Sequence, residues 1–338
     1  MSVSILFLND KEINSLVADD MREVIHDIER VLSLHDNGDV ISTDKAVLRW
    51  GSTPEDENVY GRINAMPSFV GGEYNMAGIK WIGSGPQNYK KGLPRASVTI
   101  VLNDPDTKLP VCISDGTKIS AMRTGAKGGL AVRYLASSKA SIATFLGAGA
   151  MGRTLLEATM LECPGLTEAY IYDIVPENAR YFADEMGAKL GVRVIAVENQ
   201  EEACRKSDII VTATLANEPI VHEKWIKKGC LMMNIADFEF SYGCVEMADK
   251  IVVDTWPNIK SRKISTVALM YHNGLIKDED IAAQLGEIIN GKKAGRVNDD
   301  EIIYFNAVGM GIEDIAVVTK GYRKALEKGI GTKLAYWV

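Results

Sequence analysis

The sequence lacks the features that would tie it to a membrane, a metal ion or an oxidising compartment. Its five cysteines are widely spaced and form no CxxC pair, which indicates reduced thiols in a cytosolic protein. The four histidines form no HExxH or comparable pair, so no metal site is expected. No apolar run approaches the roughly 18 residues of a membrane span, and acids directly follow the short apolar N-terminal stretch. We therefore expect a cytoplasmic protein without a signal peptide or a membrane partner.

Positive charge is also in deficit, because 38 Lys and Arg face 45 Asp and Glu for a net charge of -7. Surfaces that bind nucleic acid or anionic membranes need a surplus of cations on one face, so neither partner is expected. The composition therefore favours a protein that acts on small molecules.

A length of 338 residues exceeds one typical core and predicts two domains, or one large α/β domain with an added layer.

The first part of the chain predicts an α+β unit. Asn9 and Glu12 have capping-box spacing, and apolar residues recur with helical period, which predicts one amphipathic helix over residues 9 to 36. Strands in direct succession imply antiparallel or mixed pairing. The β-like segments are AVLRW, YGRINAMPSFV, NMAGIKWIGS, SVTIVLND and PVCISD. A final helix, IEDIAVVTKGYRKALEKG, is expected to pack back on this unit.

From about residue 140 the pattern changes to regular alternation of strands and helices. The strand-like segments are SIATFLGAG, EAYIYD, VRVIAV, DIIVTATL, CLMMNIA and KIVVDTW. Such alternation requires parallel strands with helical crossovers, so the predicted fold class is α/β with a Rossmann-type doubly wound sheet.

The segment FLGAGAMG places Gly147, Gly149 and Gly152 in GxGxxG spacing, directly after a strand and before a helix. The first glycine allows a tight turn, the second allows backbone to approach a pyrophosphate, and the third allows close helix packing. The next strand ends in Asp173, where an acid would accept hydrogen bonds from the adenosine ribose and repel a 2'-phosphate. The pattern predicts a dinucleotide site that favours NAD over NADP and includes Ala150 and Met151 of the turn.

Two cations stand in apolar surroundings. Lys80 lies in the strand-like MAGIKWIG, where a buried lysine needs a partner, and Arg123 lies in a helical segment. The sequence leaves two alternatives for the partner of each cation: a carboxylate of the substrate, or an acidic side chain of the protein in an internal salt bridge. Glycines at 125, 128 and 129 interrupt the helical pattern of the second segment, which indicates close approach of another helix or of the cofactor.

The order of MRTGAKGGLAVRYLA, FLGAGAMG and VGMGIEDI resembles that of the ornithine cyclodeaminase and mu-crystallin family over nearly the whole length. The resemblance implies a substrate-binding and dimerisation domain from residues 1–125 and 316–338. It implies an NAD-binding Rossmann domain from residues 126–315 and a homodimer. It also implies oxidation of an amino acid by NAD+ through an imine.

The resemblance also implies roles for single residues. Lys80 and Arg123 match the family's substrate-carboxylate cations, and Thr124 adjoins them beside the cofactor phosphates. Thr212 and Thr214 match positions near the cofactor. Counting from Asn234, Glu239 takes the place of the family's catalytic aspartate, so we expect it to act as the general base.

Two departures bear on the reaction. Asn64 stands where cyclodeaminases have a carboxylate, which weakens cyclodeamination of ornithine to proline and ammonia as the activity. Asp237 has no counterpart in the family and is expected to help in the site or to form a turn. The segments RINAMPSFVGGEYNMAGIKWIGS and LGEIINGKKAGRVNDDEI are similar to members that oxidise N-(2-amino-2-carboxyethyl)-L-glutamate to 2-oxoglutarate and 2,3-diaminopropionate, a step that supplies siderophore or antibiotic assembly.

A substrate with several carboxylates suits additional cations, and Arg49, Arg62 and Arg95 are the candidates. Three alternatives stay open at this point. They are a dehydrogenase acting on a C–N bond, including an alanine or imino-acid dehydrogenase, a cyclodeaminase without net redox, and a non-enzymatic NAD(P)H-binding protein like mu-crystallin.

Overall fold

The computed structural model describes residues 3–51 and 61–338, so Tyr60 of the predicted second strand lies outside the described residues. The chain divides into two compact units, the first from residues up to Arg123 and from Met310 onward, the second from Thr124 to Gly309. The predicted boundaries after residues 125 and 315 fall inside helices α3 (Thr117–Leu135) and α11 (Gly311–Lys328). Within the described residues each unit contains one eight-stranded sheet.

The first unit has a mixed sheet in the order β16-β1-β7-β6-β5-β4-β2, with β3 also paired to β4. Its strands are β1 (Val3–Leu8), β2 (Val40–Ser42), β3 (Ala46–Trp50), β4 (Gly61–Val70), β5 (Met76–Ser84), β6 (Ala96–Asn103), β7 (Pro110–Asp115) and β16 (Thr332–Trp337). Strands β3 to β7 pair antiparallel in succession, whereas β1 and β7 run parallel. The mixed pairing confirms the predicted α+β organisation, although the patterns did not predict β1, β2 or β16.

The single helix predicted over residues 9 to 36 is wrong, because the chain breaks it into α1 (Asp10–Val17) and α2 (Met21–Asp36). The predicted capping box at Asn9 is confirmed. The break follows from Asp20, whose side chain accepts a hydrogen bond from the amide of Arg22 and so starts a new helix. Helix α11 packs on β4 and β5 and against both helices, which confirms the predicted return of the last helix to this unit.

The second unit confirms the predicted doubly wound sheet. All its neighbouring strands pair parallel, in the order β10-β9-β8-β11-β12-β15-β13-β14. The strands are β8 (Ile142–Leu146), β9 (Glu168–Tyr172), β10 (Arg193–Ala196), β11 (Ile209–Thr212), β12 (Leu231–Asn234), β13 (Lys250–Val253), β14 (Ile281–Gln284) and β15 (Ile303–Asn306). The strand order reverses between β8 and β11, and the crevice at the carboxyl ends of such a pair is where open α/β sheets bind ligands.

The remaining helices of this unit cross over between its strands. They are α4 (Ala150–Glu162), α5 (Pro176–Leu190), α6 (Gln200–Lys206), α7 (Tyr242–Glu246), α8 (Trp256–Arg262), α9 (Thr266–His272) and α10 (Leu285–Ile289). Helix α4 is the close neighbour expected at the glycines of α3. A Cβ on Gly125 would lie 2.6 Å from the carbonyl carbon of Thr154, and one on Gly129 would lie 2.9 Å from Cβ of Ala158. Helix packing therefore accounts for these glycines.

All five cysteines are buried free thiols. In the parts of the chain that the structure describes, no helix has the length and apolar character to cross a membrane. Across the same residues, no group of three or more His, Cys, Asp or Glu side chains could hold a metal ion.

Candidate functional site

The glycine-rich turn lies between β8 and α4, at the carboxyl edge of the second unit's sheet. Gly147 has φ +105°, and Ala213 O lies 2.7 Å from where its Cβ would be. Gly149 is the exposed N-cap of α4, with no atom within 4 Å of a Cβ there. A Cβ on Gly152 would meet the carbonyl oxygen of Gly147. The turn is thus closed at its first and third glycines and open at the second, at the N-terminus of α4.

Asp173 directly follows β9 and supports the glycine-rich turn. Its Oδ2 accepts a hydrogen bond of 2.9 Å from the amide of Ala148, and its Oδ1 accepts one of 2.9 Å from the amide of Val175. An ionised carboxylate can accept about four hydrogen bonds, so capacity for ribose hydroxyls remains. Arg180 lies in α5, the helix that follows Asp173, and pairs at 3.5 Å with Glu177.

Glu239 lies at the carboxyl end of β11, close to both predicted threonines, and its side chain is 0% exposed. Its Oε1 accepts hydrogen bonds from the amide of Thr214 at 2.7 Å and from Oγ1 of the same residue at 2.6 Å. Its Oε2 accepts from Thr212 Oγ1 at 2.7 Å and from Asn234 Nδ2 at 2.9 Å. The structure therefore brings Thr212, Thr214 and Glu239 together through four donors on one carboxylate.

A chain of buried amides and a phenol extends this cluster across the sheet. Asn234 Oδ1 accepts from the hydroxyl of Tyr304 at 2.9 Å, and Asn306 Nδ2 donates to the carbonyl of Asn234 at 2.7 Å. Burial raises the pKa of Glu239 above its usual value, while the hydrogen bonds from the two threonines act in the opposite direction. The donors around the carboxylate are all neutral groups.

Asp237 is in a different environment from Glu239, although the two are separated by one residue. It is half-buried in the loop after β12, and its Oδ1 lies 3.4 Å from Nη2 of Arg262. The structure therefore separates the two acids into a saturated buried carboxylate and a more exposed one with a cationic partner.

In the first unit, Lys80 lies at the centre of β5 and its side chain is 1% exposed. Its Nζ donates to Asp314 Oδ1 at 2.8 Å and to Ser120 Oγ at 2.7 Å. Burial and then the nearby Arg123 lower the pKa of Lys80 to about 8, against the opposing effect of Asp314. Lys80 is therefore in an internal salt bridge, at a pKa close to neutrality.

Arg123 lies in the same cluster. Its Nη1 donates to Glu313 Oε2 at 2.7 Å, and its Nε lies 3.2 Å from Asp314 Oδ2. The two cations thus face two carboxylates from the first turn of α11, all of them buried. Thr124, the next residue of α3, is buried in the second unit beside the glycine that packs on α4.

The strand register places further candidates on the face that carries Lys80. Arg49 is directly opposite Arg62, and Lys80 is directly opposite Met66. Opposed residues and alternate residues along a strand share a face, so Arg49, Arg62, Asn64 and Lys80 all belong to one face of the sheet. Like charges directly opposite each other are destabilising, which indicates a surface suited to an anion.

Arg95 lies at the same end of the sheet as the arginine pair. Its carbonyl accepts a hydrogen bond of 2.9 Å from the amide of Gly85, and its side chain is exposed. The following residue, Ala96, is opposite Ser84, which is opposite Arg62. Arg95 therefore precedes β6 at the end of the sheet where Arg49 and Arg62 lie, but β5 separates β6 from β4, and Ala96 is the residue that shares a face with Arg62.

The sequence patterns missed Glu313, Asp314 and Ser120 as site residues. Acidic residues are common in the first turn of a helix because they interact favourably with the helix dipole. The acids of GIEDI therefore did not stand out as site residues in the sequence. A second buried pair, Lys127 with Asp254 at 2.5 Å, was also missed, although Asp254 directly follows β13 and is not in a helix. Both partners of each pair are far apart in sequence, and only the fold brings them together.

A parallel sheet with a glycine-rich turn, a strand-end acid and a polar edge defines a dinucleotide-binding unit of the Rossmann class, joined in one chain to a unit with buried cations. The chain belongs to the ornithine cyclodeaminase/mu-crystallin family, whose family model matches residues 6–329.

Among its relatives, N-((2S)-2-amino-2-carboxyethyl)-L-glutamate dehydrogenase of Staphylococcus aureus is 32% identical over 99% of both chains. Alanine dehydrogenase of Archaeoglobus fulgidus is 33% identical over 98% of both chains. The structure of Thermococcus litoralis Δ1-pyrroline-2-carboxylate reductase, in complex with NADH and L-proline, has a TM-score of 0.89 at 36% identity, covering 97% of this chain and 99% of that one. An archaeal alanine dehydrogenase dimer with bound NAD has a TM-score of 0.90 at 31% identity, covering 99% of this chain and 100% of that one.

Proposed function

We propose that the protein is an NAD-dependent oxidoreductase that oxidises the C–N bond of an anionic amino acid. The observation that carries the proposal is the shared face of β3, β4 and β5, which carries Lys80 together with the opposed pair Arg49 and Arg62. A relative from Thermococcus litoralis and an archaeal alanine dehydrogenase bind NADH or NAD, which supports the cofactor. The dimer of the latter supports a homodimer for this chain.

The second unit would hold NAD through the glycine-rich turn and the end of β9. Amides at the N-terminus of α4 face the open side of Gly149, where the diphosphate would bind. Asp173 would accept from the ribose hydroxyls, and its negative charge would repel a 2'-phosphate. When bound there, NAD+ would supply the acceptor for a hydride from the carbon that bears the amine, and water would hydrolyse the resulting imine.

The first unit would hold the substrate by its carboxylates. Lys80 and Arg123 have two carboxylate partners, so the cluster is neutral, and a substrate carboxylate would bind to the two cations in competition with Glu313 and Asp314. Arg49 and Arg62 would bind a second carboxylate on the same face, with Asn64 supplying neutral hydrogen bonds. Arg95 would lie at the edge of that anionic group.

An additional pair of arginines favours a substrate with several carboxylates over alanine or ornithine. The finer proposal is N-(2-amino-2-carboxyethyl)-L-glutamate, which with NAD+ and water would give 2-oxoglutarate, 2,3-diaminopropionate, NADH and a proton. The Staphylococcus aureus relative is named for this substrate, which supports the choice.

The test is a panel of N-(2-amino-2-carboxyethyl)-L-glutamate, alanine and ornithine, each with NAD+ or NADP+. We expect net NADH and 2-oxoglutarate from the first substrate only. Proline and ammonia from ornithine without net NADH would instead identify a cyclodeaminase, and NADH binding without turnover of any compound would contradict the proposal.

The arginine pair provides the sharper experiment. Arg62→Ala should raise the KM for N-(2-amino-2-carboxyethyl)-L-glutamate by about tenfold, because one charge-assisted hydrogen bond is lost. Arg193→Ala, which removes an exposed arginine paired with Glu168, is the control and should leave the KM unchanged. An Arg62→Ala enzyme with wild-type KM would exclude the proposed second carboxylate site.

A further inference from the structure

The environment of Glu239 determines what its carboxylate can do. Each of its oxygens already accepts two hydrogen bonds, one from a hydroxyl and one from an N–H group. An ionised carboxylate offers about four acceptor positions, so all of them are occupied. Because the side chain is also 0% exposed, no position is left for a substrate amine or an attacking water.

The backbone of the same residue is held in an equivalent way. The carbonyl of Glu239 accepts from the amides of Ile220 at 2.8 Å and Val221 at 3.0 Å. Side chain and carbonyl therefore bind the beginning and the end of one connection, the segment that follows β11. The residue joins this segment to the loop after β12.

The segment held by Glu239 packs on the glycine-rich turn. The amide of Ala213 donates to the carbonyl of Leu146 at 3.0 Å, and its carbonyl oxygen lies 2.7 Å from where a Cβ of Gly147 would be. Thr214 Oγ1, which donates to Glu239, also accepts from the amide of Ala216 at 3.0 Å. Glu239 thus fixes residues 213–216 against the turn that would receive the dinucleotide.

We infer that Glu239 is a positioning residue that acts through Thr212 and Thr214 to shape the cofactor site, in place of the general base expected from the sequence. The inference rests on the proposed function, because it assigns the role of one residue in the same site. It also gives a physical reason for the glutamate: an aspartate is one methylene shorter and could not span both threonines and Asn234 from the same backbone position.

Glu239→Gln is the direct test. Whichever way the amide is turned, its NH2 group faces the N–H of Thr214 or of Asn234, so that N–H loses its acceptor, and the neighbouring threonine hydroxyl must rotate to accept instead of donate. We expect the Kd for NADH, measured by fluorescence titration, to rise by about tenfold or more. Amide hydrogen exchange of residues 213–216 in the cofactor-free protein should accelerate, and the pH profile of kcat/KM should keep its shape.

Two further variants keep the test decisive. Thr214→Val retains the carboxylate and removes one hydroxyl donor, so it should raise the Kd for NADH by about threefold even if Glu239→Gln does not fold. Glu223→Gln is the control, since that exposed carboxylate of the neighbouring segment accepts one hydrogen bond from Ser241. It should behave as wild type in binding and exchange.

Two results would contradict the positioning role of Glu239. If Glu239→Gln lost turnover by about 1,000-fold with wild-type Kd and exchange, it would be a general base and the inference would be overturned. A Thr214→Val protein with wild-type Kd and exchange would overturn it as well. Hydrogen exchange needs neither cofactor nor substrate, so failure of the proposed reaction in the wild-type enzyme would be recognised separately.

Discussion

Two buried carboxylates, Asp314 in the first unit and Glu239 in the second, are compensated for lost hydration by different kinds of partner. Asp314 lies among ions, with Lys80 and Arg123 as cationic partners. Glu239 has only neutral donors, namely two hydroxyls, a backbone amide and an asparagine amide. An ion pair binds through charge, whereas a carboxylate among dipoles is held by directional hydrogen bonds.

This difference predicts that the cluster around Asp314 changes with bound anions and pH, whereas the hydrogen bonds around Glu239 stay the same. The cations around Asp314 can share a new anion, and the protonation of Lys80 changes their total charge, since burial lowers its pKa to about 8. The acceptors of Glu239 are all in use, so any change there costs hydrogen bonds without a replacement. We therefore expect substrate and pH to act on the first cluster and backbone geometry to depend on the second.

The largest effect should come from removing the buried counter-ion. Asp314→Asn leaves Lys80 and Arg123 with one carboxylate, and breaking a buried pair costs about 3 to 5 kcal/mol in the free energy of unfolding. Urea denaturation at pH 6, where Lys80 is protonated, measures this. Asp19→Asn is a matched control, because Asp19 forms an ion pair of the same 2.8 Å length with Lys118 at the surface. It should cost less than about 1 kcal/mol, and equal losses in the two variants would contradict the distinction.

The second effect concerns pH. Lys80 is charged below its pKa of about 8 and neutral above it, so binding of a carboxylate should weaken as pH rises through 8. Asp314 favours the charged form, and its replacement by asparagine should lower the pKa of Lys80 further and move this loss to lower pH by at least about one unit.

The measurement is the inhibition constant of a 2-hydroxy acid between pH 6 and 10, because such a ligand has no group of its own that titrates there. Asp19→Asn should keep the wild-type midpoint. A midpoint that stays in place in Asp314→Asn would show that Lys80 does not bind the carboxylate.

The smallest effect should come from the far end of the neutral network. Tyr304→Phe removes the hydroxyl that donates to Asn234 Oδ1 at 2.9 Å, and the free energy of unfolding should fall by about 1 kcal/mol. Tyr181→Phe, at an exposed tyrosine, should leave it unchanged. A loss for Tyr304→Phe as large as that for Asp314→Asn would remove the contrast between dipoles and ions.

Much of the second unit could be predicted because its signals are local. The alternation of strands and helices, the spacing of Gly147, Gly149 and Gly152, and the position of Asp173 all lie within short windows of sequence. In the first unit, antiparallel strands with turn residues were equally local. The break between α1 and α2 was missed because the apolar period continues across it, although Asp20 as an N-cap was the available signal.

The fold class, the glycine-rich turn and the lysine and arginine in apolar surroundings can be read from the amino-acid order alone, because backbone propensity and hydrophobic period act between near neighbours. The partners of those polar groups follow from the folded chain. Lys80 and Asp314 are 234 residues apart, and Glu239 finds Thr212 and Thr214 from another strand end. Whether a buried charge is paired, saturated or available depends on such long-range contacts, since the desolvation of one group is offset only by donors that the fold brings to it.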